Sequence, residues 1–186
     1  MVSPTNRQAV ASPDGKWQLT VWGEKGEVAW LMLESNHSDS RYRVQVWPIS
    51  DAVYVLWAPD SQGFAFTDAR FEDDYYILVD HLRGYLQSEV KDLTPALKSR
   101  FSSLLGKRYE ILRWYVKPLV WVQRGVLLVG VDCVTAQQKA ANPRYHPAQN
   151  WFRSYLVDVE HAEVIRDLDE RETKSRYGIE LANEKW

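Results

Sequence analysis

The chain has 186 residues, 45% of them hydrophobic and 26% charged, which are values of a globular protein and not of a disordered one. Its 23 basic and 25 acidic residues give a net charge of −2. There is no basic surplus to hold phosphates, so nucleic acid is not expected as a partner.

No window approaches the roughly 18 apolar residues of a membrane helix, so no membrane insertion is expected. The most apolar stretch, 119–134, is interrupted by Gln123, Arg124 and Asp132. Cys133 is the only cysteine, which rules out an internal disulfide and a Cys-based metal site. One β-rich domain over 1–186 accounts for the length. Nine Trp, ten Tyr and five Phe suit the packing of pleated sheets. Any exposed subset of them would form a binding surface.

Ser12-Pro13-Asp14-Gly15 carries the residues of a type I turn. Pro presets φ at the second position, Asp suits the third and Gly the fourth. Behind it Trp17, Leu19 and Val21 alternate with polar residues, as in a half-buried strand. Residues 23–26 read as a hairpin loop and 28–33 as the return strand. A polar loop over 34–40 leads to a strand at 41–46, which Pro48 ends, and 52–56 is again extended.

Trp57-Ala58-Pro59-Asp60-Ser61 repeats the turn ahead of the alternating residues Phe64-Ala65-Phe66. A charged tip, Arg70-Phe71-Glu72-Asp73-Asp74, precedes a strand at 75–79. The two Pro-Asp turns lie 46 positions apart, a period of propeller-blade size.

The rhythm then changes. Residues 82–90 fit either helix or strand. Thr94 suits an N-cap and Pro95 the first helical position. Leu97, Phe101, Leu104 and Leu105 share one face, and Gly106 is a stop. This predicts an amphipathic helix near 95–105, within an insertion of about 84–106. It would lie across the sheet or close one of its edges.

Strands are expected again at 109–116, 119–123 and 126–134, with a turn at Arg124-Gly125 and the last strand central in its sheet. The longest irregular segment is 135–150, with prolines at 143 and 147. A final hairpin over 151–159 and 162–168 turns at Glu160-His161. The charged tail 169–186 reads as a short helix or a loose end.

The segments 12–21 and 57–66 resemble the TolB-type β-propeller repeat, the Pro-Asp relative of WD-type blades. Ser154-Tyr155-Leu156-Val157-Asp158-Val159 resembles the inner strand that precedes a blade's hairpin. The resemblance covers about half the chain. It implies a binding platform, usually for proteins, without chemistry of its own. A closed propeller needs at least four blades of four strands, and only about three partial units are present here. The expected fold class is therefore mainly β: propeller-like antiparallel sheets, open or sandwich-like, with one inserted helix.

No catalytic motif is present. His37, His81, His146 and His161 show neither His-x-x-x-His nor HExxH spacing. The chain lacks a nucleophile elbow, a phosphate-binding loop and a dinucleotide fingerprint. No catalytic residue, metal or cofactor is expected. Glu72-Asp73-Asp74 lacks the alternation of calcium loops, and consecutive carboxylates on an extended chain point to opposite faces. These acids read as a solvated tip or as charges that steer a partner. Nothing in the spacing brings Asp132, Cys133 and His146 together as a thiol triad. Cys133, in an apolar strand, reads as buried and inert.

Two segments are candidates for binding a partner. One is the tip, with Arg70, Glu72, Asp73 and Asp74. The other is the long loop carrying Arg144, Tyr145 and His146, followed by Trp151. The expected function is non-catalytic binding of another protein, for example by a small immunity protein that neutralises a bacterial toxin or enzyme. A carbohydrate-binding module or hydrolase using exposed Trp and Tyr beside Asp73 or Asp132 is the alternative from another class. A structural component of a larger assembly is a third. No signal peptide is visible. A native start at Met1 would place the chain in the cytoplasm, and a removed leader would place it in the periplasm.

Overall fold

A computed structural model describes residues 9–23, 29–36, 43–49, 53–71, 74–83, 87–88, 90–105, 109–137 and 149–183. The fold is mainly β, with open sheets. The first sheet is an antiparallel meander of β1 (Val10–Ala11), β2 (Trp17–Trp22), β3 (Ala29–Ser35) and β4 (Arg43–Ile49), in that spatial order.

The second sheet contains β5 (Val55–Trp57), β6 (Gly63–Phe71), β7 (Asp74–Arg83), β10 (Tyr109–Gln123), β11 (Val126–Gln137), β12 (Gln149–Asp158) and β13 (Glu163–Leu168). Its order is β13-β12-β11-β10-β7-β6-β5. The short strands β8 (Gln87–Ser88) and β9 (Lys91–Asp92) both pair with β7. A parallel bridge, Trp114 to Asp74, joins β10 to β7. All other pairings among the described residues are antiparallel, so two antiparallel halves meet at that bridge.

The period-2 alternation of β6 explains the layering. Phe64 and Phe66 point to one side, where they join Leu19, Leu31, Leu33 and Trp47 of the first sheet in one core. Trp47 meets the Phe64 ring edge-on at 5.3 Å, and the Phe64 and Phe66 rings tilt against each other at 5.8 Å. Ala65 points to the other side, into a second core with Ile77, Val79, Trp114, Val129 and Tyr155. The β6–β7 ribbon is thus a middle layer buried on both faces.

The two Pro-Asp turns lie side by side. In the first, Ser12 Oγ donates to Asp14 Oδ1 at 2.7 Å, and Gly15 N donates to Ser12 O at 2.9 Å. Gly15 has a φ of +71°, the left-handed conformation that glycine adopts freely. In the second, Ser61 occupies the equivalent position at φ +59°. Its side chain is put to use. Ser61 Oγ, in a residue 2% exposed, accepts from Asp14 N at 3.1 Å and so ties the second turn to the first. A parallel bond runs from Trp57 Nε1 to Val10 O at 3.0 Å.

Helix α1 (Thr94–Leu105) has the expected place, but its start is built differently. The Thr94 hydroxyl does not cap the helix; it accepts from Ile77 N of β7 at 2.9 Å. Asp92 Oδ1 accepts from Thr94 N instead, at 2.9 Å. Leu97 and Phe101 are buried as expected, whereas Leu104 is 46% exposed. The Phe101 ring meets Trp114 edge-on at 5.5 Å. Lys98 Nζ reaches Asp74 of β7 at 2.5 Å, and the Arg100 guanidinium holds Asp167 of β13. The helix therefore lies over the sheet face and is pinned on both sides.

Three further segments are defined by the structure. Residues 82 and 83 continue β7, and α1 keeps to Thr94–Leu105, where the helix was expected. β10 runs unbroken through Pro118, with register shifts absorbing the missing N–H. The charged tail contains a capped helix, α2 (Glu170–Tyr177). Asp169 accepts from Glu172 N at 2.7 Å, and Gly178 ends the helix at φ +70°. The hydroxyls of Ser154 and Thr173 meet at 2.7 Å and dock α2 on β12. Among the described residues no helix is long and apolar enough to cross a membrane.

Candidate functional site

Three turns converge at one end of the second sheet. They are the Pro59–Asp60 turn, the Arg124–Gly125 turn between β10 and β11, and the turn at Glu160 between β12 and β13. Together with the ends of β7 and β10 they enclose a cleft of about 700 Å³. Trp121, Val122 and Leu82 supply its apolar lining; His81, Asp60, Arg124 and Glu160 supply its polar lining.

Local chemistry fixes each wall. The Trp121 ring is held by its Nε1 donating to Leu56 O at 3.3 Å. Gly125, at φ +73°, closes the tight turn that carries Arg124, and its carbonyl accepts from Val159 N at 2.9 Å. The Glu160 turn is shaped by Asp158. This carboxylate accepts from His161 N at 3.0 Å and meets His161 Nδ1 at 3.0 Å. These bonds hold Asp158 below its usual range and raise His161 above its own. The ammonium of Lys91 donates to the Glu160 carbonyl. Gly63 keeps the wall thin: a Cβ there would stand 2.6 Å from Asp80 O on the neighbouring strand. Arg124 reaches Asp60 at 3.7 Å with 90% of its side chain exposed, a loose surface pair.

Of the sequence-predicted site residues, the described Asp74 and Trp151 lie elsewhere. Arg70 sits at the register shift between Ala69 and Phe71. Glu72, Asp73, Arg144, Tyr145 and His146 lie outside the described residues. Asp74 opens β7 and is engaged by Lys98. Trp151 is half-buried, donates from Nε1 to Thr135 Oγ1 at 3.0 Å, and meets Phe101 edge-on at 6.4 Å. Asp74 and Trp151 thus both contact α1, and neither lines the cleft.

Most described tryptophans are buried or half-buried, but Trp22 and Trp30 are 45% and 42% exposed. They face each other across β2 and β3, and Trp30 pairs in turn with exposed Pro48 on β4.

Strand β11 and the second core carry groups of a different kind. Cys133 is fully buried, and burial pushes its thiol up to about 12. Burial also raises the Asp132 carboxyl, against the opposing charge of Arg113, and raises the Tyr155 phenol. Trp114 Nε1 and Tyr155 OH are buried without a hydrogen-bond partner. Among the described residues no group of three or more His, Cys, Asp or Glu is placed to hold a metal ion.

Sequence reasoning missed the cleft. His81, Trp121 with Arg124, and Glu160 come from three distant parts of the chain, and only the two turns among them carry a local signal. Fold and cleft define a mainly β protein of open, layered sheets with a recess walled by turns. No family model matches the chain, and no curated protein matches it.

Proposed function

We propose that this chain is a non-catalytic protein-binding domain whose recognition surface is the turn-walled cleft. In its concrete form it is a small neutralising protein that occludes a cognate bacterial toxin or enzyme. The observation that carries the reading is the cleft itself: a Trp, an Arg, a His and two carboxylates surround one recess of about 700 Å³. Trp and Arg are the residue types that dominate interface hot spots, and they act best in concave, largely desolvated pockets. The same reading takes the Pro-Asp units as TolB-type repeats. Two turns bonded side by side across the first and second sheets favour it.

Affinity capture at native expression levels tests the proposal. The native chain is expected to retain a protein partner that a Val122→Arg bait, altered at an exposed rim position, loses. A capture without any protein partner, or with one that the variant keeps equally well, contradicts it.

A second reading, carbohydrate binding, is favoured by the exposed Trp22–Trp30 pair, since stacked indoles form platforms for apolar ring faces. Glycan-array binding that disappears in the Trp22→Ala, Trp30→Ala double variant would support it. An array that stays blank counts against it.

A further inference from the structure

Resting on the protein-binding reading of the cleft, we infer that its occupant is a basic side chain, arginine above all, presented at the tip of a partner's loop. The lining charges point that way. The cleft lining carries two carboxylates, Asp60 and Glu160, and one guanidinium, Arg124, while the Lys91 ammonium at this turn is engaged by the Glu160 carbonyl. Arg124 meets Asp60 only at 3.7 Å and is 90% exposed, so an incoming guanidinium displaces it at little cost. Both carboxylates then become available to one ligand. A guanidinium has donors enough for two acceptors, in a rigid planar fork.

The apolar lining fits the same ligand. Trp121 is held in place by its bond to Leu56 O, which pre-organises an aromatic wall. Indole is the strongest aromatic partner of a cation, and the Leu82 and Val122 side chains suit the apolar stem of an arginine. The Glu160 turn already receives a cation, because the Lys91 ammonium donates to its carbonyl from within the chain. A recess of about 700 Å³ is in the range of sites that enclose a small ligand, with room for the turn residues that flank one arginine.

Calorimetry on the whole chain with three cyclic hairpin peptides tests the inference. The peptides are identical except for the apex, which is arginine, its neutral isostere citrulline, or glutamate. The arginine peptide is expected to bind about tenfold tighter than the citrulline peptide. This preference should shrink as NaCl rises from about 0.05 to about 0.5 M. Asp60→Asn and Glu160→Gln should each weaken the arginine peptide at least about threefold and leave the citrulline peptide unchanged. Both positions are exposed, and thermal melting checks that the variants fold.

Equal affinity for arginine and citrulline, a preference for glutamate, or no binding of the arginine peptide overturns the inference. A protein partner that binds the Asp60→Asn, Glu160→Gln double variant at full strength also overturns it, yet leaves the broader protein-binding reading standing. If capture retrieves no protein at all, that broader reading fails.

Discussion

Ser61 holds two opposed energies in one residue, and substitution separates them. Its backbone is left-handed at φ +59°, where a side chain costs about 1–2 kcal/mol. Its hydroxyl accepts from Asp14 N across the two turns at 3.1 Å, a bond contributing about 0.5–1.5 kcal/mol. Ser61→Ala loses the bond and keeps the strain, so it is expected to cost about 1–2 kcal/mol. Ser61→Gly loses the same bond but relieves the strain, less about 0.5–1 kcal/mol for the added freedom of the unfolded chain. It should fall within about 0.5 kcal/mol of the native protein. Urea unfolding reads both variants, and the alanine variant should melt roughly 2–8 °C lower. The reasoning is refuted if alanine is neutral, or if glycine is as damaging as alanine.

Two further outcomes follow from β11. Cys133, with its thiol pushed up to about 12, should leave a thiol reagent unreacted at pH 8 in the folded chain and consume one equivalent after unfolding. A rapid reaction in the folded state would show that the strand is open. Asp132 has a folded carboxyl raised above the ordinary value of 3.8. The stability it contributes is complete below that value and is lost as pH rises through the raised one. Asp132→Asn should flatten this part of a stability–pH curve and be the more stable form above it. An unchanged curve would mean that water reaches the carboxylate.

Local signals in this chain were readable and long-range ones were not. The Pro-Asp turns, the helix around Leu97 and Phe101 and the alternation at Phe64-Ala65-Phe66 depend on neighbours within a few positions, and each appears in the fold. Thr94 looked like a cap because the pattern cannot register β7. Once Ile77 N needs an acceptor, the hydroxyl goes there. Pro48 looked like a strand end, yet β4 runs through it to Ile49, because β4 is an edge strand where a missing N–H is tolerated. Residues 82–90 fit either pattern because β8 is a two-residue pairing that exists only beside β7. The cleft was hidden for the same reason. Its Trp, His, Arg and acids share no period and meet only after four elements have packed.

The layer order also sets a timetable for synthesis. The apolar face of the first sheet, Leu19, Leu31, Leu33 and Trp47, is closed by Phe64, Phe66 and Leu78, which come later in the chain. On a ribosome adding roughly 5–20 residues per second, those four strands emerge some seconds before their cover. During that interval the nascent meander presents a bare greasy plane and two unmatched strand margins.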